Sequence, residues 1–147
     1  MRKSTLFTLL FFFFTGMLLS SLLTAQTAQV QIIHNSPSGS FSSTVDLYVN
    51  DTLAADNFEF RTATPFTEIP AGVPIEVSIA PPESNSSADA VLDTTFTAEA
   101  GNVYIAVAHG VLGSSTAPLT ISFLNQGQTT AQSGSGVDVT VFHGAPD

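Results

Sequence analysis

The feature that most restricts the fold is a two-residue rhythm of apolar side chains. Val45, Leu47 and Val49 alternate with Asp46, Tyr48 and Asn50; Ile75, Val77 and Ile79 alternate with Glu76 and Ser78. Val103, Ile105 and Val107 alternate with Tyr104 and Ala106, and Leu119, Ile121 and Phe123 with Thr120 and Ser122. Val30 and Ile32 begin another run, Phe58 and Phe60 give a further one, and residues 92–98 form a less regular seventh. A strand sends successive side chains to opposite faces, so each run predicts a strand with one face in the core and one in water. Turn chemistry separates the runs: Asn35-Ser36-Pro37-Ser38-Gly39, Asn50-Asp51, Pro70-Ala71-Gly72, Pro81-Pro82 with Ser84-Asn85-Ser86-Ser87, and Ala100-Gly101-Asn102. No stretch beyond the amino-terminal segment sustains a helical period. Strands at this spacing predict an antiparallel sandwich or barrel.

The amino terminus is of another kind. Arg2 and Lys3 precede an apolar run over residues 6–23 that contains Phe11, Phe12, Phe13 and Phe14, followed by Thr24, Ala25, Thr27 and Ala28. A basic start, an apolar middle and a small-residue end predict a helical signal peptide over 1–25, cut near 25–28. A spanning anchor would be of similar length. Thr8, Thr15, Gly16, Ser20 and Ser21 dilute the run, however, and no stop-transfer basic residues follow, so no stable membrane insertion is expected after cleavage. The rest of the chain then holds one cation, Arg61, against all twelve acids. Scarce cations exclude a nucleic-acid binder, whose affinity comes mainly from Lys and Arg on phosphates. The chain has no cysteine, which excludes disulfides, thiolate metal sites and thiol nucleophiles.

Residues 125–136, NQGQTTAQSGSG, contain no large apolar side chain and read as a flexible linker. Beyond it, Val139-Thr140-Val141-Phe142-His143-Gly144-Ala145-Pro146 repeats Val30-Gln31-Ile32-Ile33-His34-Asn35-Ser36-Pro37 in order. A self-match at domain-sized spacing signals a tandem array. Residues 137–147 are therefore expected to be the first strand of a second, truncated copy, with the chain as the front of a longer protein. The other reading makes them the last strand of the first sheet.

The ordered set Val30-x-Ile-Ile-His34-Asn-Ser-Pro37, Val45-Asp46-Leu-Tyr48-Val49-Asn50, Thr64-Pro65-Phe66, Ile69-Pro70-Ala71-Gly72 and Glu99-Ala100-Gly101-Asn-Val-Tyr104 resembles the DUF4397 family. The resemblance spans residues 28–124 and restarts near 137. It implies a secreted or cell-surface bacterial module with an immunoglobulin-like β-sandwich of about seven to eight strands, often in tandem, and no established activity. Asn50-Asp51 departs from the Asp/Asn-Gly turn common at that place in such domains.

Candidate chemistry is sparse. Val30, Ile32 and His34 share a strand face, as do Val139, Val141 and His143, so each His ends a core-facing row beside a Pro-containing turn. A metal ligand or general base would need partners at ligand or relay spacing, which His34, His109 and His143 lack. The favoured reading is an imidazole hydrogen-bonded to turn backbone. No G-x-S-x-G and no phosphate loop occur. Glu59, Glu68, Glu76, Glu83 and Glu99 could pair as glycosidase carboxylates, but solvated strand faces and turns explain them. Asp51, Asp56, Asn57, Asp89 and Asp93 lie in or near loops and are the candidates for Ca²⁺, without EF-hand spacing. Arg61 is expected to meet a carboxylate at the surface. No catalytic, cofactor or metal residue is assigned. The expected function is a non-catalytic spacer, adhesion or ligand-binding module whose partner is an extracellular protein or glycan. Its contacts are expected through edge strands and the loops at 36–44 and 81–90. The alternative is a carbohydrate-directed secreted hydrolase, or an accessory domain of one.

Overall fold

The computed structural model describes residues 26–37, 43–125 and 127–144. The expected signal helix and part of the 36–44 loop lie outside these residues. Eight strands follow in order: β1 Thr27–His34, β2 Thr44–Val49, β3 Thr52–Glu59, β4 Thr67–Pro70, β5 Pro74–Ala80, β6 Leu92–Thr97, β7 Val103–His109 and β8 Thr120–Leu124. A single 3₁₀ turn, Ser87–Asp89, is the one helical element among the described residues.

The strands form two four-stranded sheets, ordered β4-β1-β7-β8 and β3-β2-β5-β6. Between them lies one core: Ala28, Val30 and Ile32 of β1, Val45 and Leu47 of β2, Ile75, Val77 and Ile79 of β5, Tyr104, Ala106 and Ala108 of β7, with Ile69 and Ile121. The fold is therefore the all-β sandwich that the apolar rhythm predicts. It departs from a purely antiparallel arrangement at one pair: β1 and β7 run parallel, from Gln29 beside Val103 to His34 beside Ala108. These strands are far apart in sequence and the chain visits the other sheet between them, so no short hairpin imposes opposite directions.

The β2–β3 hairpin resolves the Asn50-Asp51 departure. Val49 pairs with Thr52, and Asn50 and Asp51 both take positive φ, 46° and 62°. A two-residue loop with both central residues left-handed is a type I′ turn, which matches the strand twist. Asn50 is tied down by its neighbours: its side-chain oxygen accepts the Glu76 N–H at 2.9 Å, and its own N–H donates to the Glu76 carbonyl at 3.0 Å.

Two rows of side chains face the opposite way from their predicted side, or lie buried where water was expected. On β7 the core face is Tyr104, Ala106 and Ala108, so Val103, Ile105 and Val107 point to the outer face of the first sheet. The 125–144 segment reaches that face: the Gly127 N–H donates to the Val103 carbonyl at 3.0 Å, and Phe142 stands edge-on to His109 at 5.0 Å. A strand apolar on both sides is one covered on both sides. On the outer face of the second sheet, Asp46, Tyr48 and Ser78 are buried, where alternation placed them in water. The 81–90 loop folds over them.

Candidate binding cleft between the open sheet edges

The sandwich has two lateral openings, and they are closed differently. Where β6 faces β8, Phe96 stacks on Phe123 with centroids 4.0 Å apart and planes at 19°, and Tyr104 meets Phe96 edge-on at 5.7 Å. This aromatic pair bridges the two sheets. Where β3 faces β4, no stacked pair bridges the sheets among the described residues, although Phe58 of β3 meets the His34 ring of β1 at 6.0 Å. A cleft of about 690 Å³ opens there instead, lined by Val30, Ile32, Leu47, Val49, Phe58 and Ile69, with Ala54, Ala55 and Pro65 towards the rim.

Local sequence produces the opening. β4 has only four residues and stops at Pro70, which has no N–H to extend the ladder. β3 offers Ala54 and Ala55 in mid-strand, too small to fill the gap. Irregularities in the β2–β3 register around Leu47 bend the strand there. The polar groups of the lining are few. Thr64 Oγ1 accepts the Ile32 N–H at 2.9 Å, and Glu68 is the single charged lining residue. Such a cleft can bury an apolar side chain. It holds no acid–base pair.

The buried polar groups elsewhere serve the fold. Asp46 Oδ1 accepts the Asn57 N–H at 2.9 Å, and Oδ2 accepts both the hydroxyl and the N–H of Ser84, each at 2.7 Å. The Tyr48 hydroxyl lies 2.9 Å from Ser84 Oγ. Burial would raise the Asp46 pKa, but the Asn57 N–H and then the Ser84 hydroxyl and N–H outweigh it, and the carboxyl titrates below its ordinary value. The 81–90 loop, expected to be a contact surface, is thus clamped to β2.

His34 is 4% exposed. Its Nδ1 accepts the Ser36 N–H at 3.4 Å, which leaves the proton of the neutral ring on Nε2. That Nε2 is buried with no hydrogen-bond partner, between Phe58 and Phe60 at 6.0 and 5.9 Å. Burial lowers the His34 pKa, and likewise that of His109, whose Nε2 lies 2.8 Å from Ser122 Oγ. His143, equivalent to His34 in sequence, is exposed and in no strand. The three imidazoles are not brought together.

The calcium candidates are spent separately. Asp51 accepts the Ser87 hydroxyl, Asp56 the Asn57 side-chain amide at 3.0 Å, and Asp89 the Asn85 N–H at 3.1 Å, while Asp93 pairs with Ser78 between β6 and β5. Among the described residues no group of three carboxylates or imidazoles could hold a metal ion. Glu59, Glu68, Glu76, Glu83 and Glu99 are all exposed on separate strands and turns. Arg61 does not meet a carboxylate among the described residues. With a left-handed φ of 65° it turns back over Phe60, its guanidinium 5.0 Å from the ring centroid.

Sequence reasoning missed the cleft, because it depends on what two edge strands lack. The available signal was the Ala54-Ala55 pair in a strand otherwise set with larger side chains. A second groove, polar and open, of about 870 Å³, runs between the outer face of the first sheet and the 125–140 segment.

Searches of curated proteins and of solved structures gave no match. The family model described as "Domain of unknown function (DUF4397)" matches residues 28–147, which takes in the sandwich and the whole carboxy-terminal segment. The chain belongs to the DUF4397 family.

Proposed function

We propose that the chain is a non-catalytic β-sandwich module, exported by its hydrophobic leader to the cell surface or beyond, which holds an extended apolar protein segment in the β3–β4 cleft. The observation that carries this reading is the asymmetry of the two openings: a stacked aromatic pair closes one, and the other leaves a cleft walled by core residues between two edge strands. An exposed edge offers backbone hydrogen bonds to a further strand, and a pocket beside it selects alternate side chains. Dispersed carboxylates and imidazoles support a role without chemistry. The apolar lining, with one ring and one charge, supports a protein segment over a glycan, which would need a denser set of polar groups. The repeat of β1 at 139–146 supports membership of a tandem array.

The test is binding of a neutral solvatochromic dye such as Nile red. The full chain is expected to bind it. Ala54→Arg, which sets a cation at the exposed rim, is expected to abolish binding while leaving the far-ultraviolet spectrum unchanged. Equal binding by the variant would overturn the reading.

A further inference from the structure

The 137–143 segment is an unusual piece of surface. Val137, Val139 and Val141 are 87, 77 and 87% exposed, three β-branched side chains in strict alternation with Asp138, Thr140 and Phe142. This is the pattern of a half-buried strand, carried by residues that lie in no strand. Phe142 rests on His109 over the outer face of the first sheet, so the valine row is held there rather than at the cleft.

The same segment matches β1, and β1 supplies part of the cleft wall through Val30 and Ile32. Val139 and Val141 are the sequence equivalents of those two residues. The segment thus carries the side-chain row that this core already accepts, on residues paired to no strand. The longer of the two cleft lips is β3, with eight residues, neither Pro nor Lys, and an exposed Leu53. Edges that avoid strand addition are usually shortened, bent, charged or broken by Pro. β3 is bent and carries Asp56 and Glu59, but it is neither short nor broken by Pro.

We propose that the cleft is filled by the 137–143 segment of a second copy of this chain, added along the free edge of β3 with Val139 and Val141 in the cleft and Asp138 and Thr140 in water. The proposal rests on reading the cleft as a strand-docking groove and names its occupant.

The absence of native cysteines makes the arrangement open to cross-linking. Chains carrying Ala54→Cys are mixed with chains carrying Thr140→Cys and treated with a short bis-maleimide, which tolerates a small register slip. Ala54 is exposed on β3 at the cleft rim, and Thr140 faces water in the added strand. A cross-linked pair of unlike chains is expected, together with a concentration-dependent doubling of mass in light scattering. Val139→Asp with Val141→Asp should hold the chain monomeric at every concentration. A parent chain that stays monomeric overturns the proposal, as does association that survives the double substitution. An intrachain link in the doubly substituted Ala54→Cys/Thr140→Cys chain, without links between chains, also overturns it. Nile red separates the two levels. If self-association fails but the Val139→Asp/Val141→Asp chain still binds dye in an Ala54-dependent way, the occupant is wrong and the groove stands. If dye binding fails too, both fall.

Discussion

Asp46 on β2 holds Ser84 with one carboxylate oxygen, which accepts both the Ser84 N–H and the Ser84 hydroxyl at 2.7 Å. The other oxygen takes the Asn57 N–H, so one side chain, 1% exposed, joins β2, the β3 bend and the 81–90 loop. Asp46→Ala removes the acceptor of the Asn57 and Ser84 N–H groups and of the Ser84 hydroxyl, at part-buried positions where only the hydroxyl has a second partner, the Tyr48 hydroxyl at 2.9 Å. Each buried unsatisfied group costs roughly 1–3 kcal/mol, so a loss of about 3 kcal/mol is expected once the loop relaxes to water. Asp46→Asn keeps acceptor oxygen for part of the set and should lose about half as much. Chemical denaturation gives the totals, and hydrogen exchange at Ser84 and Asn57 tests whether the loop is released first.

The pH dependence of stability follows from the buried groups with displaced pKa values. His34 and His109 both titrate below 6.5 in the folded protein, because burial disfavours the charged ring. In His34 a second factor acts in the same direction: a proton on Nδ1 would face the Ser36 N–H, donor against donor. The unfolded chain therefore binds protons first. The stabilising contribution is fully present above pH 6.5 and declines as pH falls below it, at up to about 1.4 kcal/mol per pH unit for His34. Asp46, displaced below its ordinary value, adds a second decline beginning below about pH 3.8. Denaturant midpoints at pH 7.5, 6 and 5 test the first, as approximate stations along the His range. His34→Phe should flatten that slope, and an unchanged slope would contradict the assignment.

The type I′ turn at Asn50-Asp51 uses two residues where the second is conformationally costly. Asparagine tolerates the left-handed region better than most side chains, and Asn50 is further held by Glu76. Asp51, at φ 62°, gains only an exposed contact with the Ser87 hydroxyl. Asp51→Gly should therefore stabilise the fold by roughly 0.5–1 kcal/mol, the left-handed strain outweighing the extra freedom of glycine when unfolded. Thermal unfolding read side by side with the parent chain decides the sign.

How much of this was legible beforehand depends on what each feature rests on. Periodicity marks β1, β2, β5, β7 and β8, which each bury residues on an alternating row, and β6, whose row is half-buried, but it touches β3 only at Phe58, since that strand buries no residue. β4, with only Ile69 buried, has too short a row to announce itself. Periodicity divides a strand into two faces without saying which is inside, and on β7 size misleads. Val103, Ile105 and Val107 are the larger set, yet Ala106 and Ala108 leave room in the core beside the Phe96–Phe123 stack. Asp46, Tyr48 and Ser78 were misassigned to water because their cover, the 81–90 loop, is a tertiary event that no local pattern encodes. The cleft is harder still, since it is defined by a seal present on one side of the sandwich and missing on the other.

That contrast makes Phe123 the sharpest test of the whole reading. Its ring joins β8 to Phe96 of β6 across the sheets. Phe123→Ala removes the stack and opens the second side, at a cost of about 3 kcal/mol for the lost burial and the residual cavity. Phe123→Leu keeps most of the volume and loses the ring pairing, so about 1 kcal/mol is expected. Stability alone would not separate a seal from an ordinary core residue; dye binding does. If lateral openness is what makes the β3–β4 cleft a site, Phe123→Ala creates a second one. The variant should bind more Nile red than the parent, and the extra binding should survive Ala54→Arg. A Phe123→Ala chain that stays folded and binds no additional dye would show that open edges beside an apolar core wall are insufficient. The β3–β4 cleft would then owe any binding to its own lining, from Val30 and Ile32 to Phe58, rather than to the missing aromatic bridge.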